Sequence, residues 1–386
     1  MSQIIDISTA VPEYNISKKE LVDFYAKSLP EDKSSAIKKI RFLTEKTSIE
    51  HRYTCIPDYN DNDNYELFDS FEQIPSIEKR MDLYHQKVVP LASKAIDQLF
   101  SNNTISNKDI THIITVSCTG LSAPGLECAL ADKYNLHHAE KLPVNFAGCY
   151  AALKALKHAD YIAKAEPDAC ILLVSVELST LHFYPSDSNE DILANLLFAD
   201  GAAATFICGD RHPACLEKIS LKIDKIGTSF IPNTKNLMTW NVSSKAFRMY
   251  LSKDVVTSIK ENIYQAANSL LGESMNDIDY WAIHPGGVRI VEAVQESLGL
   301  TEEQVKDSNK VLKQNGNMSS PTILFILKRL LDKICNKQLH NKQLFACAFG
   351  PGLTVEMLKL KSVHKEKANH LFSTTNEVKH VSEASI

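Results

Sequence analysis

The feature that most restricts the fold of this 386-residue chain is an internal repeat. NKDITHIITVSCTG, an apolar strand ending in a turn, has a later counterpart in MNDIDYWAIHPGG. NFAGCYAALKAL resembles KQNGNMSSPTILFILKRL, and DGAAATFICGD resembles ACAFGPGLTVEMLKL. Three matched pairs in the same order predict two copies of one strand-and-helix unit. We therefore expect a duplicated α/β fold, with halves related by a pseudo-twofold axis.

The repeat divides the chain into an expected N-terminal half, residues 1–215, and a C-terminal half, residues 216–362. Residues 363–386 are polar and without periodicity, which predicts a disordered tail. Among local elements we expect a strand over 3–9, a helix over 18–25 capped near Ser17, and a long helix over 76–101. The acidic, turn-rich run over 54–75 indicates a surface excursion.

Composition excludes several classes of function. The net charge is −5 with no basic block, so no nucleic-acid partner is expected. No stretch approaches the roughly 20 apolar residues that a membrane span requires. The nine cysteines form no CxxC pair and no metal-ligand spacing, which indicates reduced thiols. We expect a soluble cytoplasmic protein.

Cys149 lies where a short apolar run meets a helical pattern, so we expect it to be the first helical residue. A helix N-terminus favours a thiolate and should lower the pKa of Cys149 toward neutrality. The small residues around it would let a bulky ligand approach. Taken alone, a buried structural cysteine is the more common explanation, because free cysteines are usually buried.

His284 and Asn317 occupy matching places in the second half. Asn317 is expected, like Cys149, to start a central helix, and His284 to end the equivalent strand, where open α/β sheets bind ligands. A Cys, a His and an Asn can form a papain-like protease site, but that family's local cysteine signature is absent. They can also transfer acyl groups between thioesters, with His and Asn donating hydrogen bonds to a carbonyl that becomes negative.

FAGCYAA, LFADGAAA, IHPGG, GNMSS and FGPGLTVE, in this order, resemble the chalcone synthase or type III polyketide synthase family. The resemblance runs from Ile4 to about Leu360, and a bacterial member is the expectation. It implies a thiolase fold of layered αβαβα halves, a homodimer, and a Cys-His-Asn site at the base of a CoA tunnel. It also implies malonyl-CoA and an acyl-CoA starter as substrates, with no metal or redox cofactor.

The resemblance assigns roles residue by residue. Cys149 would be the nucleophile that carries the starter and the growing chain. His284 would hold its thiolate as an ion pair and, with Asn317, stabilise the enolate oxygen formed when CO2 leaves. Phe198 would be the aromatic gatekeeper whose apolar face disfavours the malonyl carboxylate.

Further positions are implied to bind CoA or to shape the cavity. Lys39 and Lys46 match the family's phosphate-binding lysines, but Phe42 replaces the arginine between them, and Arg289 could compensate. The cavity positions are Cys118, Ala123, Ser179, His182, Trp240, Met249, Ser319, Phe349, Gly350, Pro351 and Gly352. Relative to plant chalcone synthases, Trp240 and Met249 fill the aromatic starter's pocket, while Ala123 and Ser179 remove bulk.

The resulting hypothesis is an iterative condensing enzyme that extends a starter, with a fatty acyl-CoA favoured, and cyclises the product to an alkylpyrone, alkylresorcinol or related phenol. One alternative uses malonyl-CoA alone to make a tetrahydroxynaphthalene or phloroglucinol type of aromatic. A second is a single-round ketoacyl synthase III-like enzyme, and a non-enzymatic binding protein on the same fold is the third.

Overall fold

The computed structural model describes residues 2–30, 32–60, 64–69, 71 and 73–364, which contain thirteen strands and ten α-helices. The strands are β1 (Ser2–Ala10), β2 (Tyr14–Ser17), β3 (His51–Thr54), β4 (His112–Ser117), β5 (Glu140–Asn145), β6 (Cys170–Leu178), β7 (Asp200–Gly209), β8 (Ser220–Phe230), β9 (Met238–Val242), β10 (Phe247–Leu251), β11 (Tyr280–Ile283), β12 (Gln343–Gly350) and β13 (Thr354–Val363). The α-helices are α1 (Lys18–Lys27), α2 (Ser34–Lys46), α3 (Ile77–Ser101), α4 (Leu126–Lys133), α5 (Ala151–Ala165), α6 (Asn189–Leu197), α7 (Asp254–Leu271), α8 (Val288–Leu298), α9 (Glu302–Asn315) and α10 (Thr322–Asn336).

A nine-stranded mixed sheet shows the repeat directly. Its order is β11-β12-β13-β8-β1-β7-β6-β4-β5. In the first half, β1 pairs antiparallel with β7, β7 antiparallel with β6, and β6 parallel with β4. In the second, β8, β13, β12 and β11 pair with the same directions in the same order. The two halves join where β1 meets β8, and the division at residue 215 stays a prediction.

Helices α5 and α10 are the equivalent central helices. Both contribute to one buried apolar cluster that also contains residues of β1, β4 and β8. Leu153, Leu156, Leu324 and Leu327 are fully buried there. Burial of such a side chain is worth about 1.5–3 kcal/mol, so this cluster holds the two halves together. The segments just before α5 and α10 are thereby placed next to each other.

Local capping follows the sequence closely. Helix α1 begins after Ser17, whose hydroxyl accepts from the Glu20 N–H while the Glu20 carboxylate accepts from the Ser17 N–H. Helix α3 begins after Ser76, whose hydroxyl accepts from the Lys79 N–H. These interactions join residues three apart, so the sequence pattern was sufficient to predict both starts.

The predicted surface excursion over 54–75 is wrong for much of its described part. Asp58 is buried and its carboxylate accepts the backbone N–H groups of Glu66, Leu67 and Phe68. Leu67 and Phe68 are buried in the core of the first half. The acidic residue thus organises a buried loop rather than a solvated one.

The predicted tail falls almost wholly outside the described residues, which end at 364. None of the helices in the described ranges has the length and apolar character needed to cross a membrane.

Candidate active site

Cys149 lies in the turn between β5 and α5. Helix α5 begins at Ala151, so the prediction that Cys149 is the first helical residue is wrong by two positions. The turn places Phe146 and Gly148 in the left-handed region, with φ of 57° and 82°, and the Ala151 N–H donates to the Gly148 carbonyl. Cys149 is 6% exposed, so its sulfur faces the interior of the protein.

His284 follows directly after β11. Its backbone N–H donates to the Cys347 carbonyl at 2.9 Å, which continues the pairing of β11 with β12. The imidazole is 1% exposed. This location at the carboxyl end of a parallel strand agrees with the sequence prediction.

Asn317 lies in the loop between α9 and α10, five residues before α10 begins, rather than at the helix start as predicted. Its backbone N–H donates to the Leu197 carbonyl at 3.0 Å, and its carbonyl accepts from the Ala199 N–H at 2.9 Å. Its side-chain Nδ2 donates to the Gly286 carbonyl, and Oδ1 accepts from the Ser319 N–H. These contacts orient the amide and join Asn317 to the backbone on both sides of Phe198.

One cavity, here called the cysteine cavity, brings these side chains together. Its volume is about 500 Å³. It is lined by Cys149, Ala194, Leu197, Phe198, Met238, Met249, Leu251, His284, Gly286, Ile290, Asn317 and Phe349. The three polar residues thus meet although they are separated by 135 and 33 positions in the sequence. The rest of the lining is mostly apolar, which strengthens electrostatic interactions inside it.

Burial controls the protonation of this site. It raises the pKa of Cys149 to about 11, although the Ser319 hydroxyl, 3.3 Å from the sulfur, acts in the opposite direction. Burial also lowers the pKa of His284 to about 3. Both groups are therefore neutral at pH 7. Burial thus shifts the pKa of Cys149 in the direction opposite to the expected lowering, because loss of hydration outweighs the effect of a nearby helix start.

The ion pair that the resemblance implied is not formed in this structure. Within the described residues, neither ring nitrogen of His284 has a hydrogen-bond partner. An unpartnered buried polar group is costly. A ligand carbonyl in the cysteine cavity would satisfy the imidazole N–H, and the other ring nitrogen could accept a proton. The arrangement can thus activate a thiol and bind a developing oxyanion.

A second cavity, of about 480 Å³, adjoins the cysteine cavity. Ala194, Phe198 and Met249 line both and therefore lie between them. The second cavity is also lined by Ile16, Leu21, Arg52, Tyr59, Ser179, Thr180, His182, Phe183, Tyr184, Asp191, Asn195, Trp240, Phe247 and Arg248. Four of the expected cavity positions, Ser179, His182, Trp240 and Met249, are among these residues.

Hydrogen bonds fix the polar rings of the second cavity. His182 Nε2 lies 2.7 Å from the Thr119 carbonyl and Nδ1 accepts from the Phe247 N–H. Burial lowers the pKa of His182 to about 3, so it is neutral. Trp240 Nε1 donates to the Cys118 carbonyl at 2.8 Å. These side chains form rigid walls with no free hydrogen-bonding nitrogen.

Cys118 and Ala123 lie outside both cavity linings. Cys118 is buried beneath the Cys149 turn, where its sulfur accepts from the Gly148 N–H at 3.0 Å. Ala123 is exposed and precedes Pro124, with a cis peptide bond between them. Cys118 therefore supports the turn that carries Cys149, and the chain by itself does not place Ala123 in a cavity.

Residues 349–352, expected to form a loop, are the last two residues of β12 and the first two residues after it, and they lie against the Cys149 turn. Phe349 lines the cysteine cavity. A Cβ on Gly350 would lie 2.4 Å from the Tyr150 ring, and a Cβ on Gly148 would lie 2.5 Å from Pro351 Cδ. Gly352 has a φ of 79°. Small residues are therefore required where the two halves approach.

The expected CoA-binding cations lie on two helices. Lys39 and Lys46 are on α2, and Lys46 Nζ lies 5.6 Å from the centre of the Phe42 ring. Arg289 is exposed on the first turn of α8. The neighbouring residue Val288 packs against a small buried cluster that contains Leu197, which lines the cysteine cavity. The start of α8 is thus close to the cavity.

Glu177 near the end of β6 was not among the predicted residues. Its carboxylate accepts from the Cys118 N–H, the Thr119 hydroxyl and the Ser320 hydroxyl. Burial raises its pKa to about 7. It also contributes to raising the pKa of Cys149. A single acidic residue in the otherwise apolar run ILLVSVEL was the available signal.

Comparison with known proteins extends over both halves. The family model for chalcone and stilbene synthases matches in two parts, the N-terminal domain over residues 1–211 and the C-terminal domain over residues 222–364. Type III polyketide synthase A of Arabidopsis thaliana is 29% identical over 375 residues, covering 93% of this chain and 92% of that protein. The alpha-pyrone synthesis polyketide synthase-like protein Pks18 of Mycobacterium tuberculosis is 30% identical over 294 residues, covering 75% of each.

Solved structures of other proteins are also similar to this chain over most of its length. PKS-I from the brown alga Ectocarpus siliculosus superposes with a TM-score of 0.88 at 27% identity, covering 94% of this chain and 98% of that one. The C-terminal type III polyketide synthase domain of Steely1 from Dictyostelium superposes with a TM-score of 0.83 at 26% identity. The thiolase-like α/β fold implied by the resemblance is confirmed.

Proposed function

Because this chain belongs to the chalcone and stilbene synthase family of type III polyketide synthases, which are condensing acyltransferases that use CoA thioesters, we propose that Cys149 carries its growing polyketide. The observation that carries the proposal is the cysteine cavity itself. It holds a thiol, an imidazole without hydrogen-bond partners among the described residues, and an oriented amide.

Loading of the starter begins at the thiol. His284 is neutral and has a free ring nitrogen, so it can take the Cys149 proton as the sulfur attacks the thioester carbonyl of the starter. The bond to the CoA sulfur breaks, and CoA leaves with a proton. The acyl group is then held on Cys149 as a thioester.

Extension uses the same polar groups on malonyl-CoA. Its thioester carbonyl accepts hydrogen bonds from His284 and Asn317, while the carboxylate lies against the apolar face of Phe198. The carbon–carbon bond to the carboxylate breaks, CO2 leaves, and the electron pair forms an enolate whose oxygen is bound by these donors. The enolate carbon attacks the Cys149 thioester, the new carbon–carbon bond forms, and the thiolate leaves.

Repeated extension is supported by the second cavity. A single-round ketoacyl synthase needs room for one acyl group, whereas here a further cavity adjoins the site beyond Phe198 and Met249. The IHPGG and FGPGLTVE motifs also favour the hypothesis of an iterative condensing enzyme. A binding protein without catalysis would not need all three polar residues.

For the starter we propose a fatty acyl-CoA, with an alkylpyrone or alkylresorcinol product. One relative is named for alpha-pyrone synthesis, which supports a pyrone. Ser179 is small and lines the second cavity, but Ala123 would open an alkyl slot only together with a partner chain. Trp240 narrows the second cavity, and this favours the alternative, a synthase that uses malonyl-CoA alone.

We also propose a homodimer in the cytoplasm that needs no metal or redox cofactor. Strand β5 is at the edge of the large sheet and its side chains alternate between exposed and half-buried. An unpaired edge can pair with a second copy. Leu121 is also 42% exposed, which leaves a large apolar side chain open to contact with a partner. The nine cysteines form no disulfide in the described part of the chain, and reduced thiols suit the proposed compartment. Sedimentation of the pure protein would show a dimer, and a monomer at micromolar concentration would contradict this.

Incubation with malonyl-CoA and a panel of starters, followed by mass spectrometry, tests the reaction. The parent should give products of more than one extension, and Cys149→Ala should give none. Cys149→Gln should retain malonyl-CoA decarboxylation, because His284 and Asn317 remain. Polyketide from Cys149→Ala would refute the assigned nucleophile, and products of one extension only would favour the single-round alternative.

The starter is tested by kcat/KM as a function of acyl-CoA length. Each buried CH2 contributes about 0.8 kcal/mol, so a real slot makes kcat/KM rise with length until the slot is full. Ala123→Phe should abolish this rise and spare short starters. A flat profile in the parent would exclude the alkyl slot and leave the malonyl-only alternative.

A further inference from the structure

Arg52 on β3 is an unusual buried cation. Only 2% of it is exposed, and in the described part of the chain it forms no ion pair with a carboxylate. Its single hydrogen bond there runs from Nη1 to the Asn195 carbonyl, at 3.2 Å. Burial lowers its pKa to about 10, so the guanidinium is still charged at neutral pH. A buried charge without a partner is expensive for the fold.

The end of α6 explains part of this arrangement. Asn195 lies in the last turn of α6, where backbone carbonyls lack helical partners and a cation is favourable. One carbonyl, however, uses one of the five N–H groups of a guanidinium. The Nε and Nη2 groups have no hydrogen-bond partner among the described residues, and Arg52 lines the second cavity.

Several other polar groups in the second cavity already have partners. Arg248 is paired with Asp191 at 2.6 Å, and the Tyr59 hydroxyl donates to the Thr180 carbonyl. The Ser179 hydroxyl, by contrast, makes no hydrogen bond within the described ranges and also lines the cavity. Unused hydrogen-bonding capacity in the second cavity therefore comes from Arg52, Ser179 and the Tyr184 hydroxyl, and among these three only Arg52 carries a charge. A positive donor in a buried cavity selects an anionic or strongly accepting oxygen.

We propose that the second cavity is a subsite for an oxygen-bearing part of the chain held on Cys149, and that Arg52 binds this oxygen. This rests on the proposed function, because it assumes that an acyl chain passes between Phe198 and Met249. Two sources supply the same chemistry. One is a carboxylate at the far end of the starter, and the other is a keto oxygen of the extended polyketide. A plain alkyl end would leave Arg52 unpaired.

The test measures binding, so it does not depend on condensation. In a Cys149→Ala background, dissociation constants are determined by calorimetry for two pairs of ligands. Glutaryl-CoA is compared with pentanoyl-CoA to test a carboxylate, and 5-oxohexanoyl-CoA with hexanoyl-CoA to test a ketone. The same four ligands are measured after adding Arg52→Met, Arg52→Lys or, as a matched control, Arg211→Met. Arg211 is exposed and paired with Asp168.

At least one oxygen-bearing ligand should bind about 10- to 100-fold more tightly than its methyl-ended partner, as expected for a hydrogen bond to a charged group. Arg52→Met should remove this preference, Arg52→Lys should keep part of it, and Arg211→Met should leave it unchanged. The pair that responds identifies the source. No preference for either oxygen-bearing ligand, or a preference that survives Arg52→Met, would overturn the subsite.

Failure of the proposed function would be visible separately. It would appear as an absence of polyketide from the parent enzyme, whatever the binding data show. If Arg52→Met does not fold, the preference for the oxygen-bearing ligand is measured with Arg52→Lys instead. The shorter cation loses about one hydrogen bond, so this preference should weaken at least threefold. An unchanged ratio in Arg52→Lys would then count against the proposal.

Discussion

Replacement of Gly148 by alanine should displace Cys149. Gly148 precedes Cys149 and has a φ of 82°, in the left-handed region that side chains rarely adopt. A Cβ there would lie 2.5 Å from Cδ and 3.2 Å from Cγ of Pro351. Pro351 belongs to the loop after β12, so the contact joins the two halves. The backbone must move, and Cys149 moves with it.

The cost has two parts that a control separates. A non-glycine residue in the left-handed region costs about 1–2 kcal/mol. Overpacking against Pro351 adds about 1–3 kcal/mol. Gly299 has a φ of 64° and no atom within 4 Å of the position of a Cβ. Gly299→Ala therefore carries the first cost alone, and Gly148→Ala carries both.

The assay combines unfolding with activity. Chemical denaturation should show Gly148→Ala less stable than Gly299→Ala by about 1–3 kcal/mol. Pro351→Ala removes the two contacting atoms, so the Gly148→Ala/Pro351→Ala double variant should recover that difference, measured as a coupling in a double-mutant cycle. Polyketide kcat/KM should fall about 100-fold in Gly148→Ala if the sulfur moves by about 1 Å, and stay unchanged in Gly299→Ala. Equal destabilisation of the two single variants, with no coupling to Pro351→Ala, would refute the reasoning.

Three other predictions address protonation and CoA binding. Because the pKa of Glu177 is raised to about 7, this group stabilises the fold at low pH, and its contribution is lost as the pH rises through about 7. In denaturant titrations, Glu177→Gln should therefore reduce the stability difference between pH 5 and pH 8 by roughly 2–3 kcal/mol. An unchanged difference would contradict the raised pKa. Since the pKa of Cys149 is about 11, the rate at which iodoacetamide alkylates it should rise about tenfold per pH unit between pH 7 and 10, as measured by peptide mapping. A rate that reaches a plateau near neutral pH would instead show an ion pair with His284. Phe42 is exposed on α2, and Phe42→Arg should lower the KM for malonyl-CoA about twofold to fivefold at low salt but not at high salt, because salt screens exposed charges. A KM that does not depend on salt would argue against phosphate binding at this position.

The repeated fold and the identity of the three polar residues in the cysteine cavity could be predicted without the structure. The repeat was predictable because matched strand and helix patterns depend on the spacing of apolar residues, which is a local property. The meeting of the three residues was predictable because equivalent ends of a duplicated fold lie close to its symmetry axis. The caps at Ser17 and Ser76 were predictable for the same reason, because each bond joins residues three apart. The family motifs added roles, but these roles stay predictions for this chain.

The protonation of those residues and the hydrogen-bond partners around them depend on the tertiary structure. The pKa values of Cys149 and His284 follow from burial by side chains of both halves, and no spacing in the sequence encodes that loss of hydration. Glu177 became a neighbour of the site through Ser320, 143 positions away. Arg52 lines the second cavity and donates to the carbonyl of Asn195, 143 positions away, with no carboxylate partner among the described residues. Hydration and hydrogen-bond partners are set by residues distant in the chain, within one half for Arg52 and Asn195 and between the halves for Glu177 and Ser320, so local sequence patterns do not encode them.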